Sequence, residues 1–262
     1  MNQERRFMVL ANWKMHQTRA AAMAWCRTVG QGVRDLPPGL EVVACPPHPL
    51  VALVARELAG APGCRPGAQD AHWLGRGPHT GDVSAPLLAD AGARFCLTGH
   101  SERRRDHGED DQLVRLKVLA LLAAGLTPIA CLGEERATHQ AGRTLEHLTS
   151  QFAACFRGFT PAELAATVVL YEPVWAVGSG EQPRPGEVGA ALAHLRELTA
   201  RQAGLEAAQA QRLIYGGSVG PANLPGLLAL GGLDGVGLGS GSLDPEHFLA
   251  AVRAAAAARV RG

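Results

Sequence analysis

The sequence predicts an α/β protein: a closed eight-stranded parallel (β/α)8 barrel. Short apolar, β-branched runs alternate with amphipathic or alanine-rich stretches, which is typical of repeated βα units. Eight such runs occur in 262 residues, and eight strands close a parallel barrel of roughly 250 residues. No segment has the composition of a linker, so we expect one domain over residues 1–262.

Each strand is predicted from one apolar run, and each helix from the stretch that follows it. The predicted strands are residues 7–11, 42–45, 65–69, 94–98, 128–131, 168–171, 213–215 and 235–238. The predicted helices are residues 19–33, 50–58, 112–124, 144–156, 186–202, 221–230 and 245–258, with one short helix around 85–91.

An open, doubly wound sheet fits the same alternation, and the strand ends distinguish the two folds. Most predicted strands end in a polar residue or in glycine. In a barrel these ends converge on one face, where such enzymes build their sites. In an open sheet they lie along a line and meet only near a switch point. Because polar residues or glycines end most of the predicted strands, we favour the barrel, in which all of these ends would meet. The residues at these ends are Asn12, Lys14, Gln69, His100, Glu134, Glu172, Gly216, Ser218, Gly239 and Ser240.

Composition excludes several classes of function. The net charge of +1 offers no basic surplus for nucleic acid and no polybasic patch for a membrane surface. No apolar run is long enough to cross a bilayer, and the N-terminal run is too short for a signal peptide. Six scattered cysteines without a C-x-x-C pair favour free thiols and a cytoplasmic location. Neither the histidines nor the cysteines have the spacing of metal ligands, so we expect no metal.

A carboxylate follows the sixth predicted strand. The run 167–170 leads into Glu172, Pro173 then ends regular structure, and the tip Gly178-Ser179-Gly180 follows. A solvated Glu at the end of a strand is the ordinary interpretation of such a residue. The alternative is a base at the sheet edge, beneath a segment that can close over it.

Lys14 is one of only two lysines among 25 cationic residues. Lys117 fits a chance position on a helix surface. Lys14 instead lies just past the first strand, where a compact ammonium group can contact a phosphate and a developing oxyanion together. The broad, planar guanidinium of arginine does not replace it freely.

His100 lies directly after the fourth strand, whereas most of the ten histidines are expected at the surface. The positive end of a helix dipole at this position would lower the pKa of the imidazole and favour its neutral form. Neutral imidazole can donate a hydrogen bond to a carbonyl oxygen that becomes an enediolate.

Two glycine-rich segments follow the seventh and eighth strands, YGGSV at 215–219 and LGSGS at 238–242. Glycine lets backbone N–H groups approach an anion closely. In barrels a phosphate commonly lies between the loops after these two strands. The two glycine-rich segments together therefore predict a phosphate-binding site.

Taken together, these motifs resemble the triosephosphate isomerase family over nearly the whole chain. The resemblance extends to EPVWAVGSG at 172–180, GAQD at 67–70, TGDVS at 80–84 and GLTPIACLGE at 125–134. It implies an isomerase of glycolysis and gluconeogenesis that interconverts glyceraldehyde 3-phosphate and dihydroxyacetone phosphate through an enediolate. It implies no metal and no organic cofactor.

The resemblance also implies a role for each matching residue. Glu172 would be the base, His100 the neutral electrophile and Lys14 the stabilising cation. Tyr215 and Ser218 would hold the lid closed. The implied substrate-binding residues are Asn12, Lys14, Gly178, Ser218, Gly239 and Ser240, and the implied supporting residues are Ser101, Glu102 and Tyr215.

A homodimer is implied as well. The segment from Gly75 to Ser84 resembles the family loop that docks against a partner subunit. Thr80 would then contact Asn12 or Glu102 across the interface, and Asp82 would pair with Arg103. An ordinary solvated loop is the alternative.

Four departures from the family pattern leave the substrate open. Glu181-Gln182-Pro183 replaces the usual continuation of the lid, Ser240 replaces a second glycine, Gly237 replaces an apolar residue, and Asp82 replaces a longer Glu. Two alternatives therefore remain beside the triose isomerase. One is a sister isomerase acting on a tetrulose phosphate. The other is a non-catalytic barrel that binds phosphometabolites, against which the intact Lys14, His100 and Glu172 weigh.

Overall fold

The computed structural model describes residues 5–261, apart from Leu36 and Pro38, so both ends of the predicted domain lie outside the described residues. Eight parallel strands close into a barrel in sequence order, and the first strand pairs with both the second and the eighth. This confirms the predicted fold, and the strand bounds differ from the predicted ones by at most two residues. The strands are β1 Phe7–Asn12, β2 Leu40–Cys45, β3 Cys64–Ala68, β4 Phe95–Thr98, β5 Thr127–Leu132, β6 Val168–Tyr171, β7 Leu213–Gly216 and β8 Gly235–Leu238.

Eleven α-helices of the described chain surround the barrel. They are α1 Arg19–Gly32, α2 Val51–Glu57, α3 Ala85–Asp90, α4 Ser101–His107, α5 Asp111–Ala123, α6 Arg136–Gln140, α7 Thr144–Cys155, α8 Pro161–Ala166, α9 Pro185–Ala210, α10 Leu224–Leu228 and α11 Pro245–Arg261. Short 3-10 helices cover His48–Leu50, Val174–Ala176 and Ser240–Ser242.

Three short helices, α4, α6 and α8, were not predicted. The α4 and α6 sequences SERRRDH and RATHQ carry no apolar stripe, so periodicity cannot detect them. The α8 helix begins with a capping box between Thr160 and Glu163, a signal that the periodicity analysis did not use. The α9 helix also runs further than predicted, past a break at Gly204, whose φ is 87°.

Among the residues that the structure describes, the buried hydrophobic residues form three clusters, one of which includes Val51, Leu88 and Leu121 on α2, α3 and α5. Strand side chains that point inward fill the barrel, and those that point outward pack with the helices into a larger cluster that includes Trp13, Trp25, Phe152 and Phe248. The interior cluster consists of Met8, Leu10, Val43, Cys45, Phe95, Leu97, Ile129, Cys131, Val168, Leu170 and Ile214.

All six cysteines are free and buried, in agreement with the prediction of free thiols. Within the described residues, no helix is long and apolar enough to cross a membrane.

Candidate active site

The polar residues at the carboxyl ends of the strands surround one cavity, with a volume of about 470 Å³. This is an ordinary size for a ligand site. Seven of the predicted site residues line it, namely Asn12, Lys14, His100, Gly178, Ser218, Gly239 and Ser240. Glu172, Ser101, Glu102 and Tyr215 are not among the lining residues, and all of them except Glu102 are buried. The cavity is also lined by Gln182, which belongs to one of the departures named above, and by His16 and His247, which the sequence analysis did not single out.

Lys14 is held in an uncommon backbone conformation at the end of β1. Its φ of 50° is in the left-handed region, which is unfavourable for a residue with a side chain. Asn12 Oδ1 accepts a hydrogen bond from Lys14 N at 3.0 Å, and Gln69 Nε2 donates to Lys14 O at 2.8 Å. The side chains of Asn12 and Gln69 therefore fix the loop that presents the ammonium group.

The Lys14 ammonium lies between the cavity and α4. Its Nζ is 2.7 Å from Glu102 Oε1, and Lys14 Cε lies 3.4 Å from the position that a Cβ would occupy on Gly239. The cation thus lies beside one of the glycine-rich loops, where it can contact an anionic ligand. Glu102 orients it from the other side.

Glu172 and His100 contact each other directly. His100 Nε2 is 2.8 Å from Glu172 Oε1, and Ser101 N donates to Glu172 Oε2 at 2.9 Å. His100 Nδ1 accepts from Glu102 N at 3.3 Å, which leaves the proton of a neutral imidazole on Nε2. Glu172 is 5% exposed and does not line the cavity, so its carboxylate must leave His100 to reach a ligand there.

The pKa of His100 moves in the direction opposite to the one predicted from the helix dipole. Burial and Lys14 lower it, but the charge and hydrogen bond of Glu172 outweigh them and raise the pKa above its ordinary value. Burial raises the pKa of Glu172, yet His100 and the Ser101 N–H together lower it. The prediction failed because it took account of the helix end but not of the carboxylate 2.8 Å away.

Two neighbours anchor the first part of residues 173–184, the segment that the resemblance implies to be a lid. Glu134 is fully buried and accepts a hydrogen bond from Trp175 Nε1 at 2.9 Å. Ser218 Oγ donates to Ala176 O at 2.6 Å. The hydroxyl of Tyr215, the second predicted lid contact, has no hydrogen-bond partner among the described residues.

The eighth-strand loop accepts Ser240 without strain. Ser240 begins a 3-10 helix, and its φ is not positive, unlike those of Lys14 and Gln17. The strain that its replacement of glycine could have caused is therefore absent at this residue.

Lys117 is not on the surface, so the sequence-based interpretation of this residue was wrong. It is 2% exposed, and its Nζ lies 2.6 Å from Asp70 and 2.5 Å from Glu109. Arg103 contacts the same two carboxylates, at 2.9 and 2.8 Å. This network joins the end of β3 to α4 and α5. The helical pattern around Lys117 does not indicate which distant residues would pair with it when it is buried.

A second group of polar side chains lies near the predicted docking loop. His72, His79 and Asp82 each have one atom that could bind a metal ion, and these atoms lie within 4.8 Å of one another. However, His72 Nδ1 already accepts from Leu74 N at 3.0 Å, which places the proton of a neutral ring on Nε2. The His72 ring also stacks on Trp73, and the His79 ring lies tilted against it at a centroid distance of 4.1 Å.

Comparison with known proteins gives a consistent result. The family model described as triosephosphate isomerase matches residues 7–255. A triosephosphate isomerase of Symbiobacterium thermophilum is 42% identical over 97% of this chain and 98% of its own length. One of Thermus thermophilus is 39% identical over 96% and 99%. The crystal structure of triosephosphate isomerase from Bartonella henselae superposes with a TM-score of 0.84 at 32% identity, covering 95% of this chain and 98% of that one.

Proposed function

Since the chain belongs to the triosephosphate isomerase family, we propose that Glu172, His100 and Lys14 carry out its reaction in the cavity described above. That reaction is the glycolytic interconversion of glyceraldehyde 3-phosphate and dihydroxyacetone phosphate. The observation that supports these roles most strongly is the contact between the buried Glu172 and His100 at the cavity wall.

Glu172 is the base. In the free enzyme His100 and Ser101 stabilise its carboxylate and keep its pKa low, so it is a weak base there. When the carboxylate leaves them for the substrate in a closed, dry site, the unfavourable burial is no longer offset and its pKa rises. The carboxylate then removes a proton from the carbon beside the carbonyl and returns it to the neighbouring carbon.

His100 is the electrophile. Once the carboxylate of Glu172 departs, the main influence raising the pKa of His100 is gone, while burial and Lys14 still lower it. The neutral ring then donates from Nε2 to the oxygen that becomes negative, because Glu102 N occupies Nδ1. Lys14 stabilises the same enediolate and faces the phosphate.

The phosphate group is bound by backbone N–H groups of Gly178, Ser218, Gly239 and Ser240, which line the cavity. Gly178 belongs to the lid, so phosphate binding favours a closed lid and excludes water from the intermediate.

We further infer that the enzyme is a cytoplasmic homodimer and that the whole chain is one domain. Exposed apolar side chains flank the docking loop 75–84, with Leu74 at 44% and Leu87 at 59% exposure. Both line one surface cavity with His79 and Asp82 of that loop. Within the chain, Arg103 already pairs with Asp70 and Glu109, so Asp82 would meet an Arg103 of the partner that is held in place.

A coupled assay on glyceraldehyde 3-phosphate tests the proposed roles. We expect turnover by the purified enzyme, and loss of turnover in Glu172→Gln with retained binding of a triose-sized phosphate inhibitor. Full activity in Glu172→Gln would contradict the assignment of the base. Inhibitor binding without turnover in the unmodified chain would instead indicate a non-catalytic phosphometabolite-binding barrel.

A further inference from the structure

Trp175 lies three residues after the proposed base Glu172, in the short 3-10 helix at the start of the segment 173–184. Two residues that follow β5 in the chain hold its indole. Glu134 accepts the hydrogen bond from Trp175 Nε1 at 2.9 Å, and the His139 ring stacks on the indole with the ring centroids 4.2 Å apart. The angle between the two ring planes is 22°, so the rings lie nearly face to face. His139 belongs to α6, which therefore contacts the segment that follows the base.

The stack between His139 and Trp175 is part of a larger contact. His139 Nδ1 lies 3.7 Å from Oε1 of the fully buried Glu134, the same oxygen that accepts the hydrogen bond from the indole. Arg136, on the same helix, donates from Nη2 to Trp175 O at 3.2 Å. The α6 helix thus contacts both the side chain and the backbone of Trp175. Because stacked rings attract each other beyond the effect of the area that they bury, loss of this stack would cost free energy.

The stack is present in the arrangement in which Glu172 contacts His100. To reach a ligand in the cavity the carboxylate has to leave His100, and only Pro173 and Val174 separate Glu172 from Trp175 in the chain. The ring of Pro173 fixes its own φ, here −61°, which leaves few free rotations between the base and the indole. We therefore expect a movement of Glu172 into the cavity to displace Trp175 from α6.

We propose that His139 is a positioning residue for the base: its stack with Trp175 holds Glu172 against His100 until substrate draws the base and the segment 173–184 over the cavity. This inference rests on the proposed role of Glu172. A contact that exists in only one of two arrangements favours that arrangement by its own free energy. The stack therefore favours the arrangement in which the cavity can exchange substrate and product, and it lowers the affinity for both.

The test measures calorimetric binding of glycolate 2-phosphate, which carries the phosphate of the substrate and a carboxylate with the negative charge of the enediolate. The unmodified enzyme is compared with His139→Ala, His139→Phe and His194→Ala. We expect His139→Ala to bind this probe about threefold more tightly, because it loses the stack. His139→Phe keeps a ring and should bind the probe as the unmodified enzyme does. His194 is also half-buried but contacts Thr149 Oγ1, at 2.7 Å, so His194→Ala should leave the affinity unchanged.

Tryptophan fluorescence adds a readout that a purely structural role of His139 would not change. Addition of the probe should change the emission of the unmodified enzyme, because Trp175 leaves the stack. The change should be smaller in His139→Ala, where the stack is already lost. Trp175→Phe gives the contribution of the other tryptophans.

Any of three results would overturn the inference. The first is unchanged or weaker binding of the probe in His139→Ala, and the second is binding by His139→Phe that is as tight as binding by His139→Ala. The third is an emission change on binding that is equal in His139→Ala and the unmodified enzyme. If His139→Ala does not fold, His139→Gln, which also lacks the ring, takes its place. Turnover tests the proposed roles separately: an enzyme without triose phosphate turnover would overturn the role of Glu172, whatever the binding results.

Discussion

The contact between His100 and Glu172 controls the chemistry of the site at the scale of single residues. Each group changes the pKa of the other, and each also hydrogen-bonds a backbone N–H of α4. Under the proposed roles, the two groups act as a base and a neutral electrophile only after the side chains separate.

The pKa of His100 tests this coupling. We expect Glu172→Gln to lower it, because the variant removes the carboxylate that raises it and leaves burial and Lys14, which lower it. Titration of the imidazole by NMR measures the change, with the exposed His107, which does not line the cavity, as an internal control. A His100 pKa that is unchanged or higher in the variant would contradict the coupling.

The length of the Glu172 side chain matters as much as its charge. Glu172→Asp retracts the carboxylate by one methylene, and a displacement of about 1 Å can lower the rate about a hundredfold. We expect kcat to fall by at least that factor while a phosphate-bearing inhibitor binds nearly as before. A variant that isomerises at the normal rate would show that another group is the base.

At the scale of elements, the lid depends on contacts from neighbouring strands. Ser218 Oγ holds Ala176 O at 2.6 Å, whereas the exposed ion pair between Arg136 and Glu181 is worth little. We expect Ser218→Ala to lower kcat/KM by about tenfold, the equivalent of roughly 1.4 kcal/mol. Glu181→Gln is the matched control, with an expected change of less than about twofold. Equal effects in both variants would show that the contact of Ser218 with Ala176 is not what holds the lid.

The buried network around Lys117 joins three elements and affects stability rather than turnover. Lys117→Met would leave Asp70 and Glu109 with only Arg103 between them. Loss of one member of a buried ion pair costs about 3 kcal/mol or more. Urea unfolding measures this, with Arg105→Met as a control because its pair with Asp106 is exposed. If Lys117→Met is as stable as Arg105→Met, Lys117 does not contribute to stability through this network.

How much the sequence predicts also differs between elements. Short apolar runs predict all eight strands, and longer periodic runs predict the longer helices, because their burial leaves a regular pattern. The α4 and α6 helices leave none, since they are short and polar and are held by their neighbours. At the site, sequence motifs predict most of the residues that line the cavity. They do not predict the raised pKa of His100 or the burial of Lys117, because both depend on partners distant in sequence.

At the scale of the whole molecule, we propose that the loop 75–84 and its apolar neighbours determine assembly. We expect light scattering to give twice the 27.4 kDa mass of one chain. Leu74→Arg should yield monomers, because it places a charge in the apolar interface. Leu205→Arg, at a more exposed leucine on α9, should remain dimeric. A fully active monomer at micromolar concentration would contradict the proposed assembly.

Glu172 is proposed to carry the proton between two carbons of the substrate. Incubation with dihydroxyacetone phosphate in deuterium oxide, followed by proton NMR, tests it most directly. The unmodified enzyme should replace one carbon-bound hydrogen beside the carbonyl with deuterium, because a carboxylic acid formed on Glu172 exchanges with solvent. Glu172→Gln should leave that hydrogen in place while still binding the substrate. Exchange at the normal rate in Glu172→Gln would contradict the claim.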